Sequence, residues 1–419
     1  MTSATEFRHG WRVVLASSTG NGSGLSGLAF YTFGVFIVPL VGAFGWSRGQ
    51  VSVAASFLLI GTAITAPIIG SLIDRLGTRR VAVASMAGLV VGYCLLTQLG
   101  GSITAFYAAW LAMALIGGGT TPVVWTRAVN MWFDKGRGLA LGLTLAGSGI
   151  AGVLGPPAAT KLITTYGWQA GYLGIAAFIA LIAIPVIAFN LAERRPATSG
   201  APTTETGTSK SAAPTSAADV PGLTLQESLY TVSFWKICGG FFFVAAMVAG
   251  LIINLVPLLI DRGLSQMAAA EIAGVMGFAV LAGRIGVGYL LDLVPANIVS
   301  RVLLGLPGLG CLLLSIDGAP TWMVLISVMS LGFAAAAEID LVAYLVSRCF
   351  GMKSYGKIYG WQLTPFYIGA AVGPLIVGMM YDAFQGYVEA LYVSAVALLV
   401  GAFVIGSVKI PPEYDRKGH

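Results

Sequence analysis

The sequence predicts an all-α membrane protein, with twelve transmembrane helices arranged as two pseudo-symmetric six-helix bundles. Three observations lead there. Hydrophobic residues fill 57% of the 419 positions and charged residues only 10%, for a mean hydropathy of +0.86, well outside the composition of a soluble domain. The apolar residues form runs of roughly 20, the length that crosses a bilayer core, separated by short breaks containing Gly, Arg and Lys. The pattern also restarts half-way along the chain, after a polar segment.

Taken in order, the runs place spans 1 to 12 at 12–41, 48–72, 80–100, 104–128, 139–163, 168–191, 233–259, 267–291, 298–317, 321–346, 357–380 and 387–408. "MTSATEFRHGWR" leads directly into an apolar stretch too long for a signal-peptide core, so span 1 is expected to be retained. With the N-terminus cytoplasmic, Arg48, Lys161 and Arg262 fall outside and Arg127 and Arg284 fall within spans 4 and 8. Every other Lys and Arg then lies inside. That asymmetry predicts cytoplasmic N- and C-termini and a multi-pass protein of the inner (plasma) membrane. The net charge of +6 then belongs to loops beside anionic lipid. No basic stripe interleaves with exposed aromatics, which argues against nucleic acid.

Between spans 6 and 7, "ERRPATSGAPTTETGTSKSAAPTSAADVPG" has no apolar periodicity and reads as a flexible cytoplasmic linker. "LTLQESLYTVSFW" follows as a short interfacial helix, with Trp235 anchoring the next span. The organisation is therefore an N-terminal bundle at 1–191, a linker at 192–229, and a C-terminal bundle with a short tail at 230–419. The halves echo each other. Gly70 and Asp74 close span 2 as Gly288 and Asp292 close span 8, and Gly142 to Gly155-Pro156 matches Gly360 to Gly373-Pro374 at identical spacing. Two six-helix repeats in one chain suit a carrier that rocks around a midplane site.

Several chemistries fall away. Cys94, Cys238, Cys311 and Cys349 are scattered without metal-ligand spacing, so neither disulfides nor a metal is expected, and no cofactor motif appears. His9 and His419 lie in the tails, which leaves carboxylates for any proton step through the membrane. No H-E-x-x-H or G-x-S-x-G marks an enzyme. The linker and tails are too short and polar to add the folded domain that a transport-dead receptor or sensor would carry.

"GSLIDRLGTRR" at 70–80 closely resembles the signature between helices 2 and 3 of the major facilitator superfamily. "YTFGVFIVPL" with "FGWSR", "NMWFDKGRGLALGL", "LAGRIGVGYLLD" and "FGMKSYGKIYG" are similar to the monocarboxylate transporter and oxalate:formate antiporter branch. The resemblance covers nearly the whole chain outside the linker. It implies alternating-access transport by a monomer. It also implies a conformational latch formed by Gly70, Asp74, Arg75, Arg79 and Arg80 with Asp292 at the matching end of span 8. Charge near a helix end also fits a plain topology signal. In span 5, "GSGIAGVLGPPAAT" resembles the Gly/Pro motif of antiporters, but Ala158 and Ala159 replace its closing glycines. Small residues that let helices pack around a bend are the alternative there.

Arg284 is the sharpest position. A guanidinium this deep in a span costs at least about 2.5 kcal/mol unless it meets water or a partner. Its planar fork matches a carboxylate through two charge-assisted bonds, so a small organic anion is the expected visitor, against a permanent ion pair. The matching Arg of the resembled families anchors substrate. In "FAAAAEIDLVAYLVSR", Asp340 precedes Arg348 by the interval that separates Arg284 from Asp292, so Asp340 and Arg284 are expected at similar depth. Asp340 is either a protonatable competitor for Arg284 or its static partner. Glu338, two residues away, points about 200° around the helix and reads as a structural hydrogen-bonding group or a second proton site.

Other candidates are weaker. Arg127, near the cytoplasmic end of span 4, is a gate or a snorkelling charge. Asn254 beside Pro257 offers a polar contact or a helix cross-link. Tyr31, Tyr344, Trp361 and Phe366 sit on spans that line the cavity of the resembled fold, where aromatics either touch substrate or pack. Two departures matter. The animal monocarboxylate transporters carry an Asp where this chain has Val280, and a Lys in span 1 that is missing here. The oxalate branch uses a deep span 11 Lys, whereas Lys357 lies at that span's start. One deep Arg suggests one carboxylate. The expectation is a carrier of a small monocarboxylate, moved with a proton, with an organic anion exchanger as the alternative.

Overall fold

The computed structural model describes residues 3–133, 137–191, 222–351 and 354–411. For Gly70, Asp74 and Asp292 only the helical backbone is described. Most of the linker, 192–221, and His419 lie outside the described residues. The first half holds α1 (Ser3–Ser23), α2 (Phe30–Phe44), α3 (Arg48–Leu76), α4 (Thr78–Leu96), α5 (Ile103–Ile116), α6 (Pro122–Asn130), α7 (Arg137–Tyr166), α8 (Trp168–Phe178) and α9 (Ile184–Asn190). The second holds α10 (Leu225–Leu229), α11 (Val232–Asp261), α12 (Gln266–Leu293), α13 (Ala296–Leu314), α14 (Thr321–Phe350), α15 (Tyr355–Phe384) and α16 (Val388–Gly406). Among the described residues, 11 helical stretches are long and apolar enough to cross a membrane. The 29-residue α3 packs among them as the twelfth.

Helix ends follow local chemistry. Ser47 and Gln50 form a reciprocal capping box at the start of α3, and Thr224 and Glu227 do the same for α10, satisfying amides that have no partner within the helix. Gly77, at φ 87°, makes the reversal from α3 to α4 possible in a single residue. The short α10 appears where an interfacial helix is expected, and Trp235 donates its indole N–H to the Leu229 carbonyl at 2.9 Å.

Span 1 departs from the sequence expectation twice. Its helix starts at Ser3 rather than at 12, because Glu6, Arg8 and Arg12 continue the helix beyond the part that apolar character marks. It also breaks: α1 and α2 are separated by a π-helical turn at Leu25–Ala29, with Gly27 at φ −110° and ψ −106°. The glycines of "GNGSGLSG" permit this, since a Cβ on Gly27 would collide with the Gly22 carbonyl. The Leu25 amide freed by the break donates to the Thr120 hydroxyl at 3.1 Å, which keeps irregular backbone tolerable at membrane depth.

Inside lipid, apolar burial does not drive helices together, so close backbone approach at small residues does. A Cβ on Gly155 would lie 2.9 Å from both Leu28 and Thr32, and one on Gly250 would lie 2.7 Å from the Gly373 carbonyl. Gly373 in turn abuts the backbone of Ala246. The sequence offset that carries Gly155 to Gly373 also carries Leu28 to Ala246, Thr32 to Gly250 and Asp74 to Asp292. The repeat read from the glycines is thus a repeat in packing.

Between the halves, α7 crosses α12 with Gly152 against Gly277, and α3 meets α15 with Gly49 against Gly378. Added Cβ atoms on Gly152 and Gly378 would sit only 2.9 and 2.8 Å from the facing Cα atoms. These two seams exchange equivalent spans of the two repeats, as a pseudo-two-fold requires.

Candidate functional site

Between the halves, below the glycine seams, lies a cavity of about 200 Å³. Asn21, Tyr31, Leu58, Thr62 and Ser148 line it from the first half, and Val248, Arg284, Glu338, Phe366 and Tyr367 from the second. The break between α1 and α2 contributes Leu25 and Ser26 to the wall. On α14, Ala335, Glu338 and Ile339 share the cavity side, the i, i+3, i+4 stripe of one helix face.

Among the described residues the wall carries charge on the second half only, at Arg284 and Glu338, and that charge is poorly matched. The Arg284 Nε has no hydrogen-bond partner, and no ion pair joins Arg284 to an acid among the described residues. Glu338 is 5% exposed and its Oε1 also lacks a partner. Tyr31, reaching in from α2, lies within electrostatic range of both Arg284 and Glu338. Asp340 lies within such range of Arg284. Asn21 donates from Nδ2 to the Leu145 carbonyl at 3.3 Å, while its Oδ1 is buried without a partner. Unpaired buried polar atoms each cost about 1–3 kcal/mol, so three of them on one cavity wall, two from charged side chains, mark a place where something else completes the bonds.

The sequence-predicted residues scatter. Arg284, Glu338, Tyr31 and Phe366 meet at this cavity. Asp340 is partly buried and outside the lining, so of the two acids that the spacing turns apart, Glu338 is the one that faces the cavity. Tyr344 stacks beneath the Arg348 guanidinium, 5.2 Å from the ring centroid, a turn or more from the wall. Trp361 is 56% exposed on the outer surface of α15. Arg127 is half-buried on α6 beyond the lining residue Val123. Val280 is fully buried. Arg75, Arg79 and Arg80 are exposed around the α3–α4 turn. A larger groove of about 370 Å³ between α1, α7 and α8 is lined by residues such as Ile150, Leu154 and Phe178, with no charged side chain among the described residues.

Asn254 belongs to a second polar region, which joins the halves at the face where α2 ends and α3 begins. Ser52 donates to Asn254 Oδ1 at 3.1 Å, and Asn254 Nδ2 donates to Gly250 O at 2.9 Å. Arg48, in the first turn of α3, grips Asp261 at the end of α11 through two bonds of 2.9 and 2.6 Å. Its guanidinium lies 4.2 Å from the Tyr381 ring centroid, a cation–π contact. Asp382, at the end of α15, accepts from the Ser47 hydroxyl at 2.6 Å and from the Gly49 amide at 3.1 Å. A carboxylate of one half thus caps a helix of the other, where the helix N-terminus favours negative charge. Sequence reading gave Arg48 only a topological role and missed Asp261 and Asp382; their positions at loop edges were the available signal.

The Major Facilitator Superfamily model matches residues 20–337. Monocarboxylate transporter 13 of Rattus norvegicus is 27% identical, over 94% of this chain and 88% of its own length. Monocarboxylate transporter 11 of Homo sapiens is 25% identical over 94% and 82%, and the uncharacterized MFS-type transporter YhjX of Escherichia coli is 25% identical over 81% of each. Among solved structures, a bacterial homologue of the human lysosomal transporter Spinster, inward-facing and unoccupied, superposes with a TM-score of 0.65 at 18% identity. That match covers 94% of this chain and 95% of the other, a likeness of fold.

Proposed function

The chain belongs to the Major Facilitator Superfamily, and we propose that it is a secondary active transporter of a small monocarboxylate, moved together with a proton by alternating access. The observation that carries this is Arg284, on the wall of the cavity between the halves, with Nε unpartnered and no acid in ion-pair contact among the described residues. An arginine kept at this depth, beside a cavity and unpaired, is arranged for an anion that comes and goes. The monocarboxylate transporters among its relatives support the same class. A single deep guanidinium suits a single carboxylate, and the aromatic and aliphatic remainder of the wall suits an apolar body.

Asp340, electrostatically coupled to Arg284 without touching it, tempers the cation and competes with substrate for it. In the proposed topology both termini are cytoplasmic, residues 1–191 and 230–419 are the rocking bundles, and the face joined by Arg48 and Asp261 is the outer one. The latch at Arg75, Arg79 and Arg80 then acts on the inner face.

Thermal stabilisation of the purified protein by a panel of mono- and dicarboxylates tests this reading, with Arg284→Gln measured beside wild type. Monocarboxylates are expected to stabilise wild type, and the variant to lose roughly 2–5 kcal/mol of that binding, at least about 30-fold in Kd. Equal stabilisation of both proteins would make Arg284 a structural residue and end the carboxylate assignment.

A further inference from the structure

The two acids of α14 occupy different surroundings. Asp340 is partly exposed and shares electrostatic contact with Arg284. Glu338 is 5% exposed, lines the cavity, leaves Oε1 without a partner and makes no ion pair among the described residues. Among the described residues, the titratable and charged groups that share the cavity with it are Arg284 from α12, Tyr31 from α2 and Tyr367 from α15. The cavity-lining residues of α11, among them Val248 and Ile252, are uncharged. Tyr31 is a neutral donor at most, and Arg284 is the group the substrate carboxylate occupies.

We propose that Glu338, rather than Asp340, is the seat of the transported proton, an inference that rests on Arg284 being the carboxylate anchor. Arg284 serves one carboxylate at a time through its fork. With substrate on Arg284, an ionised Glu338 would be closed into the cavity with neither water nor cation, whereas the neutral acid can be enclosed. Closure over the substrate therefore requires an O–H bond on Glu338. The proton comes from water on the side to which the cavity is open. When the bundles open the other side, water enters, the O–H bond breaks, and the proton leaves to that water as the anion leaves Arg284. One negative and one positive charge cross together, and no other bond changes. Asp340 never has to release its charge, because it lies outside the cavity lining and is not closed in when the substrate takes Arg284.

The experiment has two arms. Infrared difference spectra recorded on adding saturating lactate to the purified protein at neutral pH are expected to show the carbonyl stretch of a neutral carboxylic acid appear. That band should vanish in Glu338→Gln and persist in Asp340→Asn. Its loss in Asp340→Asn alone, or its absence from wild type, overturns the proposal. In the second arm, proteoliposomes take up labelled lactate with and without an inward pH gradient. Wild type and Asp340→Asn should respond to the gradient, while whatever uptake Glu338→Gln retains should be indifferent to it. A gradient response in Glu338→Gln refutes the assignment. If wild type binds no monocarboxylate and Arg284→Gln changes nothing, the carboxylate reading itself has failed, an outcome read from binding and distinct from a lactate-induced band that survives in Glu338→Gln, which overturns the proton assignment alone.

Discussion

At the joint between the halves, Arg48, Asp261, Asp382, Ser47, Ser52 and Asn254 all find partners, nearly all across the boundary. In the cavity below it, Arg284 Nε, Glu338 Oε1 and Asn21 Oδ1 have none. Both regions are polar, both sit between the same two bundles, and both interrupt an apolar chain. What separates them is satisfaction. A satisfied network holds two bodies in one arrangement, and an unsatisfied one stores affinity for a missing component. Substitutions should therefore act oppositely: at the joint they shift the equilibrium between arrangements, and at the cavity they remove ligand response while relieving strain.

The largest effect is expected where the joint rests on backbone rather than on polar bonds. A Cβ on Gly277 would overlap the backbone of Gly152 and Val153, and backbone cannot step aside as a side chain can. Gly277→Val should cost the closed arrangement about 3 kcal/mol, the upper end of overpacking penalties, and transport should fall with it. Substrate-independent closure, followed as amide exchange in the first turn of α3, is the readout. Unchanged protection there would mean that the α7–α12 seam does not govern the joint.

Asp382→Ala comes next. It removes a charged acceptor from the Ser47 hydroxyl and the Gly49 amide, each a charge-assisted bond. A loss of about 1.5–3 kcal/mol corresponds to roughly 10- to 150-fold faster exchange at Gly49. The cavity should show the reverse sign. Glu338→Leu deletes a buried carboxyl that has no partner on Oε1, so the substrate-free protein should gain about 1–3 kcal/mol, seen as a higher melting temperature. A lower one would show that Glu338 is bonded within the fold, and would erase the contrast between the two regions.

The contrast also explains what could be read from the chain in advance. The repeat was legible because glycine spacing survives wherever backbones must touch, as at Gly155 and Gly373. Arg284 was legible because charge at that depth is costly enough to need a reason. The face of each helix was not legible. In a soluble protein, apolar periodicity separates inside from outside, but here lipid and core are both apolar. Trp361, exposed on α15, and Phe366, on the cavity wall, therefore look alike in sequence. The spacing of Glu338 and Asp340 showed that they diverge without showing which one faces inward. The joint was hidden for another reason. Ser47 and Asp382 meet across 335 residues of chain, and charges at loop edges ordinarily mean only topology.

Ser52→Ala is the smallest expected change and the one that sharpens the comparison furthest. Ser52 is fully buried and gives Asn254 Oδ1 its 3.1 Å bond across the joint, yet that oxygen also faces the Tyr387 hydroxyl at 3.5 Å. Losing the serine hydroxyl therefore leaves no wholly abandoned acceptor, and the penalty should stay near that of one neutral hydrogen bond, about 0.5–1.5 kcal/mol. Exchange at the start of α3 should quicken by only about 2- to 10-fold. If Ser52→Ala instead opens the joint as widely as Asp382→Ala, the polar bonds of that face break as one unit. The joint is then a single cooperative latch with two settings, and the bonds around Arg48, Asp382 and Asn254 cannot be assigned separate energies.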